Sequence, residues 1–253
     1  MKLNITSKII FLFLSIVFFN TNASQNLQEY DPLDLVNHYR IDIMAKYIYA
    51  KHRELDVKSQ WALELYKEHL HVWSNFTEWG SITDKWGNIS YKKKDAPEKR
   101  GFAFHLSQFN NLLDSIKQNG FDPQKSLIPV GPKYIHNGSH RVAACLCHNK
   151  KVIGFPANIK QKWGRPASFF KHYTKYVPNG LDEKYLDAMV LEYCKLKKNT
   201  YVALLFPCVR RKNVTKIIDA IFSKYGHIVY KKIVPLKRHG QLNLLRICYH
   251  HFA

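Results

Sequence analysis

Acid is the scarcest chemistry in this sequence: 19 Asp and Glu stand against 39 Lys and Arg in 253 residues, a formal net charge of +20. A balance so lopsided suits an anionic partner, whether phosphate, nucleic acid or a membrane surface, and does not choose among them. Cysteine is sparse too, and five in this length exclude a disulfide-dense mini-protein. The chain has no internal repeat or low-complexity tract, and beyond the N-terminus no apolar run approaches the ~20 residues of a membrane span. What it does have is a core: 46% hydrophobic and 14% aromatic residues exclude a disordered polyelectrolyte. The length suits one or two domains.

The N-terminus opens on Lys2 and Lys8, runs apolar over residues 9–19 with Ser15 as the one break, and closes on Thr21, Asn22 and Ala23. The run is about half a membrane span. Basic start, apolar centre and a small or polar cleavage site form the pattern of a secretory signal peptide over residues 1–23, with an uncleaved membrane anchor as the alternative. Cleavage after Ala23 removes two lysines and no acid, so the exported chain is expected to carry +18, to lack a transmembrane span, and to be periplasmic or secreted. Cys145, Cys147, Cys194, Cys208 and Cys248 all lie beyond the leader. The odd count leaves at least one thiol unpaired; Cys145 and Cys147 point away from each other on an expected helix and suit neither a disulfide nor a metal, and most of the five are expected to be buried structural thiols.

Asp31 followed by Pro32 reads as a helix start, after which Leu35, Tyr39, Ile43 and Tyr47 recur near helical spacing. Ser59 is the expected cap of a second helix with Trp61, Leu65, Val72 and Phe76 along one face. Residues 77–100 lose the periodicity and read as a long exposed loop or irregular hairpin. Residues 24–104 are therefore N-terminal helices and a basic loop. Next, Ser107 is the expected cap of a helix whose Phe109, Leu112, Leu113 and Ile116 form one stripe, stopped by Asn119 and Gly120. Residues 127–130 and 134–136 read as short strands, 140–149 as a helix and 152–155 as a strand. Downstream, 166–176 and 183–197 read as helices, 201–207 as a strand, 214–225 as a helix, 227–236 as a strand, and the end from Gln241 as a helix. The expected class is α/β (α+β), with a central domain over 105–163. A helical linker and a small C-terminal βαβα unit take up 164–253.

One segment carries chemistry. After the short strand, Asn137-Gly138-Ser139-His140-Arg141 turns directly into a helix. Glycine permits a tight turn and close backbone approach. The helix start presents free N–H groups and the positive end of its dipole. Ser139 adds a hydroxyl, His140 an imidazole, and Arg141 a planar fork suited to phosphate oxygens. Together they make an anion site built for phosphate. Small Ala143 and Ala144 let the helix pack close to the sheet.

The run Gly138-Ser139-His140-Arg141-Val142-Ala143-Ala144, with the helix and the LIPV strand before it, resembles the Gly-x-His-Arg turn of the ParB/sulfiredoxin superfamily over residues 105–160. The resemblance implies a ParB/sulfiredoxin-like fold there. It also implies a nucleotide phosphate held by Gly138, Ser139, His140 and Arg141, with Ser115 and Asn111 contributing from the preceding helix. The family includes nucleotide-using sulfinic acid reductases, a free-serine kinase, CTP-binding partition proteins and some nucleases. This chain departs from it in several places. Ser139 stands where sulfiredoxins have their catalytic cysteine, which argues against sulfinic acid reduction. Nothing after Lys160 reads as the helix-turn-helix units of partition proteins. Neutral Asn137 stands where the kinase relatives have an acid, so a general base would come from elsewhere, with Asp114 and Asp122 nearby in sequence. Nuclease chemistry would need metal-binding carboxylates, which the sequence does not group.

The expected function is a nucleotide-dependent phosphotransferase with an unknown, anionic acceptor such as a sugar phosphate or acidic glycan. Its cofactors would be an ATP-like nucleoside triphosphate and Mg2+, with His140 and Arg141 as the catalytic groups that stabilise charge during transfer. The alternative is a non-catalytic binder of nucleic acid or an anionic polymer. It would work through basic patches at Lys92-Lys93-Lys94, Arg210-Arg211-Lys212, and Lys231-Lys232 with Lys237-Arg238. Phosphate at the turn is favoured over nucleic acid. No metal set is legible, because His136 and His140 are four apart with the turn between them. Asn137 also heads a glycosylation sequon, as do Asn75, Asn88 and Asn213, and a glycan at Asn137 would obstruct the site. An export leader sits in tension with a nucleotide site, since nucleoside triphosphates are scarce outside the cytosol.

Overall fold

The computed structural model describes residues 26–55, 59–74, 81–83, 89–91, 101–158, 165–171, 180–198, 200–205, 214–235 and 243–251. These residues form a mixed α/β fold of eight helices and eight strands, with most of the ordered structure helical. Strand β1 (Gln28–Tyr30) leads into a four-residue helix, α1 (Pro32–Leu35), where Asp31 accepts the Leu33 N–H at 2.9 Å as the expected cap. The helix does not run on through Tyr39 as the spacing suggests. Asn37 accepts the Tyr39 N–H at 3.0 Å and donates to Lys133 O at 2.6 Å, and Arg40 bridges to Arg165. A side chain that offers the backbone a local alternative ends the helix.

Helix α2 (Asp42–Glu54) then begins afresh. It is buried on nearly every side over Asp42 to Lys46 and again at Ile48 and Ala50, so it is a central helix and not an outer amphipathic one. Helix α3 (Gln60–Ser74) starts at the expected cap, with Ser59 Oγ accepting the Ala62 N–H at 3.2 Å. It buries Leu65 and Val72 as the pattern requires, whereas Trp61 stays 37% exposed and Phe76 lies outside the described residues. Strands β2 (Ser81–Thr83) and β3 (Ile89–Tyr91) pair antiparallel within the irregular stretch.

Helix α4 (Phe102–Asn119) begins after Gly101, well before Ser107, the expected cap, which sits exposed inside the helix. The apolar stripe continues upstream through His105, so packing sets the start without a hydroxyl cap. Its stop is the expected one: Gly120 has φ 74° and donates its N–H to Ile116 O at 3.0 Å. Strands β4 (Ile128–Val130) and β5 (Val152–Pro156) pair in parallel and are joined through α5 (Ser139–Cys147), while β1 pairs antiparallel on the other side of β5. Residues 134–136 are not a full strand. Ile135 makes a single bridge to Val130, and the His136 N–H reaches Pro129 O at 3.1 Å, which returns the chain to the start of β4.

After α6 (Ala167–Lys171) and α7 (Glu183–Leu196), β6 (Thr200–Leu205), α8 (Val214–Tyr225), β7 (Gly226–Pro235) and β8 (Asn243–His251) complete the described chain. The end expected to be helical is instead β8, the middle strand of an antiparallel β6-β8-β7 sheet. Its run Leu245, Ile247, Tyr249 has a period of two, and pairing on both edges outweighs any helical tendency. The C-terminal unit is therefore βαββ. A single apolar core draws on α1 to α7, β4 and β5, and extends to Val229 and Tyr230 of β7. No helix among the described residues is long and apolar enough to cross a membrane.

The β4–β5 register makes a direct prediction. Gly154 pairs with Ile128, and a Cβ there would come within 2.4 Å of Ile128 O. Gly154→Ala should cost about 2–3 kcal/mol by forcing the backbones apart. It should lower the urea midpoint at unchanged m. A midpoint equal to that of the wild type would mean the strands are not in this register.

Candidate functional site

Gly138 is the N-cap of α5 and adopts the left-handed conformation, φ 95° and ψ 18°. Asn137 turns its side chain onto the Gly138 N–H at 2.7 Å. The first helical bond runs from Val142 N–H to Gly138 O at 2.9 Å, which leaves the N–H groups of Ser139, His140 and Arg141 without a helical carbonyl. A Cβ at position 138 would lie 2.9 Å from Ile128 Cδ1 and 3.2 Å from Arg141 Nη2. Glycine is thus required for its conformation and for the close approach of the Arg141 guanidinium.

Arg141 does not reach outward. Its Nη1 donates to Ser126 Oγ and, at 3.1 Å, to Leu127 O, so the side chain braces the turn against the start of β4. Burial lowers its pKa to about 10, and it remains a cation at neutral pH. Burial likewise pushes the Cys145 thiol up to about 12 and the Cys147 thiol up to about 11, and both are free cysteines, in keeping with inert, packed thiols.

His140 is half-buried, and its Nε2 lies 2.9 Å from the Tyr66 hydroxyl of α3. The ring meets Phe109 of α4 edge-on, with centroids 4.9 Å apart, and Tyr66 at 5.9 Å. Behind it stands a cluster that the pattern reading missed. Arg40 Nε and Nη2 hold both oxygens of Asp42 at 2.7 and 2.9 Å, and Arg40 Nη1 donates to Ile135 O. Lys46 Nζ lies 3.3 Å from Asp42 Oδ2 and 3.3 Å from His69 Nε2. Lys46 and His69 are 0% exposed. Burial works against ionised Asp42, but Arg40 and Lys46 outweigh it and hold the carboxyl well below the usual carboxylate range. Burial, together with Lys46 and neighbouring histidines, holds His140 well below its usual pKa, and His69 is held low by burial and Lys46. Both rings are neutral at pH 7.

The structure therefore brings Gly138, Ser139, His140 and Arg141 together at one helix start. Asn111 is exposed and Ser115 partly buried on α4. They sit about 200° and 240° around that helix from Phe109, the residue that faces His140. Asp114 is held by Arg53, with Nη2 2.9 Å from each carboxylate oxygen, and Asp122 accepts the Gln124 N–H at 2.9 Å. Lys92-Lys93-Lys94, Arg210-Arg211-Lys212 and Lys237-Arg238 lie outside the described residues, and Lys231 pairs with Asp219. Among the described residues no three His, Cys, Asp or Glu side chains gather as a metal site. The signal that could have revealed the buried cluster was Asp42 and Lys46, four apart within the apolar run of α2.

Compared with protein families, curated proteins and solved structures, the chain gives no match.

The lowered histidine pKa values fix a sign for pH dependence. Below about pH 6.5 the unfolded chain takes up protons at His69 and His140 that the folded chain refuses, so stability falls as pH falls. Each ring contributes up to about 1.4 kcal/mol per pH unit in that window. Urea midpoints measured from pH 7.5 to 5 should decline, and His140→Gln should flatten the decline. An unchanged slope in that variant would show that His140 titrates normally.

Proposed function

We propose that this chain is a phosphate-binding protein with a ParB/sulfiredoxin-like core. In this reading it holds the phosphates of an ATP-like nucleotide at the start of α5 and transfers a phosphoryl group to an anionic acceptor. One observation carries the reading. A left-handed glycine cap stands before three helix N–H groups that have no helical carbonyl, with the Arg141 guanidinium packed against the glycine and His140 rooted in the same first turn. Donors fixed before the ligand arrives stabilise charge as it develops, which is most of what phosphoryl transfer asks of a protein. The parallel β4–α5–β5 arrangement behind the turn supports the family reading.

The turn's groups divide their work. The N–H groups of Ser139, His140 and Arg141 would hold phosphate oxygens, and His140 would face them with its remaining ring nitrogen. Arg141 would supply charge through the floor of the turn while its own hydrogen bonds keep that floor in place. Ser139 in place of the sulfiredoxin cysteine leaves no nucleophilic thiol there.

Asp42, the carboxylate acting on His140, is already held by Arg40 and Lys46, so an Mg2+ would arrive with the nucleotide and be held chiefly by its phosphates. Residues 1–23 would act as an export leader. In an exported chain a phosphate ligand other than a nucleoside triphosphate could occupy the same turn.

A thermal shift panel of ATP, CTP, GTP and inorganic phosphate tests the reading. Ligand at a hundred times its Kd stabilises the fold by about 2.7 kcal/mol, which reads as a rise of several degrees in Tm. Ser139 is 8% exposed, so Ser139→Asp puts a largely buried carboxylate at the helix start, where the dipole offsets part of the burial cost and the charge repels phosphate. That variant, with its fold checked by circular dichroism without ligand, should show no shift. No shift in the wild type, or an equal shift in the variant, rejects the proposal.

A further inference from the structure

Building on the phosphate reading above, we propose that Tyr66 is a positioning residue that holds His140 in the tautomer with its proton on Nδ1, so that a neutral imidazole meets phosphate as a hydrogen-bond donor. A neutral imidazole has one donor and one acceptor nitrogen. The fold commits Nε2 inward, 2.9 Å from the hydroxyl of Tyr66. Tyr66 is fully buried, stacked on Tyr49 with centroids 5.1 Å apart and tilted against Phe109 at 5.3 Å, so packing fixes where its hydroxyl stands. Phe109 fixes the imidazole from the α4 side.

A phenol O–H is a stronger donor than an imidazole N–H, and an imidazole nitrogen a stronger acceptor than a phenol oxygen, so Tyr66 is assigned as donor to Nε2 and the ring's own proton falls on Nδ1. That nitrogen lies nearer the main chain, and the main chain of His140 is at the start of α5, among the N–H groups of the turn. The opposite tautomer would present a lone pair to phosphate oxygens and repel them. A doubly protonated ring is opposed by the groups around it: Lys46 from α2, His69 from α3 and His105 from α4, with Asp42 of α2 as the opposing charge. The ring thus adds a donor aligned with the backbone N–H groups without taking part in proton transfer.

Nitrogen NMR of the histidine side chains reads this directly, with no ligand present. At pH 7 and pH 6, His140 should show protonated Nδ1 and unprotonated Nε2. A proton on Nε2, alone or with Nδ1, overturns the proposal. Tyr66→Phe should convert the single tautomer into a mixture, and a tautomer unchanged in that variant overturns the role of Tyr66. If Tyr66→Phe does not fold, His140→Gln serves instead, since its longer amide reaches toward Tyr66 but places nothing at Nδ1. Calorimetry with ATP and with inorganic phosphate should then show binding about tenfold weaker. Unchanged affinity would overturn the donor role. If the wild type binds neither probe while Nδ1 keeps its proton, the phosphate reading fails and the tautomer assignment stands.

Discussion

Arg40, Asp42 and Lys46 meet inside the protein with almost no contact with solvent, and His69 closes the group against Lys46. Taking such ions out of water costs several kcal/mol each unless partners and hydrogen bonds replace the water. Asp42 is therefore the constraint on which the surrounding geometry depends: its two oxygens and its backbone carbonyl accept from both cations. Because Arg40 also bonds Ile135 O, the cluster ties α2 to the return segment that delivers Gly138 to β4. Burial, together with Lys46, keeps both histidines neutral. A structural ion cluster and the protonation state of the candidate site are one arrangement.

Much of this was legible in the sequence where local rules and packing agree. Asp31 and Ser59 cap helices because their side chains have N–H groups to accept, and Gly120 ends α4 because only it takes φ 74° easily. The Gly138 turn was legible for the same reason, since a glycine before a helix leaves a local mark. The α2 cluster was not. Its partners come from residues 40, 42, 46 and 69, and apolar spacing treats a buried lysine as a surface one. The α4 start was misplaced because its first turn is fixed by the packing of half-buried Phe102 and buried His105 and not by a hydroxyl cap. The terminal strand was misread because its neighbours in the sheet are remote in sequence.

The two basic elements of the motif also separate in three dimensions. Sequence offers His140 and Arg141 as equivalent phosphate donors, but the fold gives Arg141 to Ser126 and Leu127 and His140 to Tyr66. In the proposed site a phosphate would meet chiefly backbone N–H and one ring nitrogen, in the field of buried positive charge. Such a site would be one of fixed dipoles, which costs little reorganisation when charge arrives.

The most direct measurement is a backbone amide NMR titration of the protein with ATP and with inorganic phosphate. The account predicts that the Ser139, His140 and Arg141 amides move first and saturate together, with His140 side-chain nitrogens shifting alongside. Shifts confined to the basic clusters near Lys93, Arg211 or Lys237, with the amides of residues 139–141 unmoved, would contradict it.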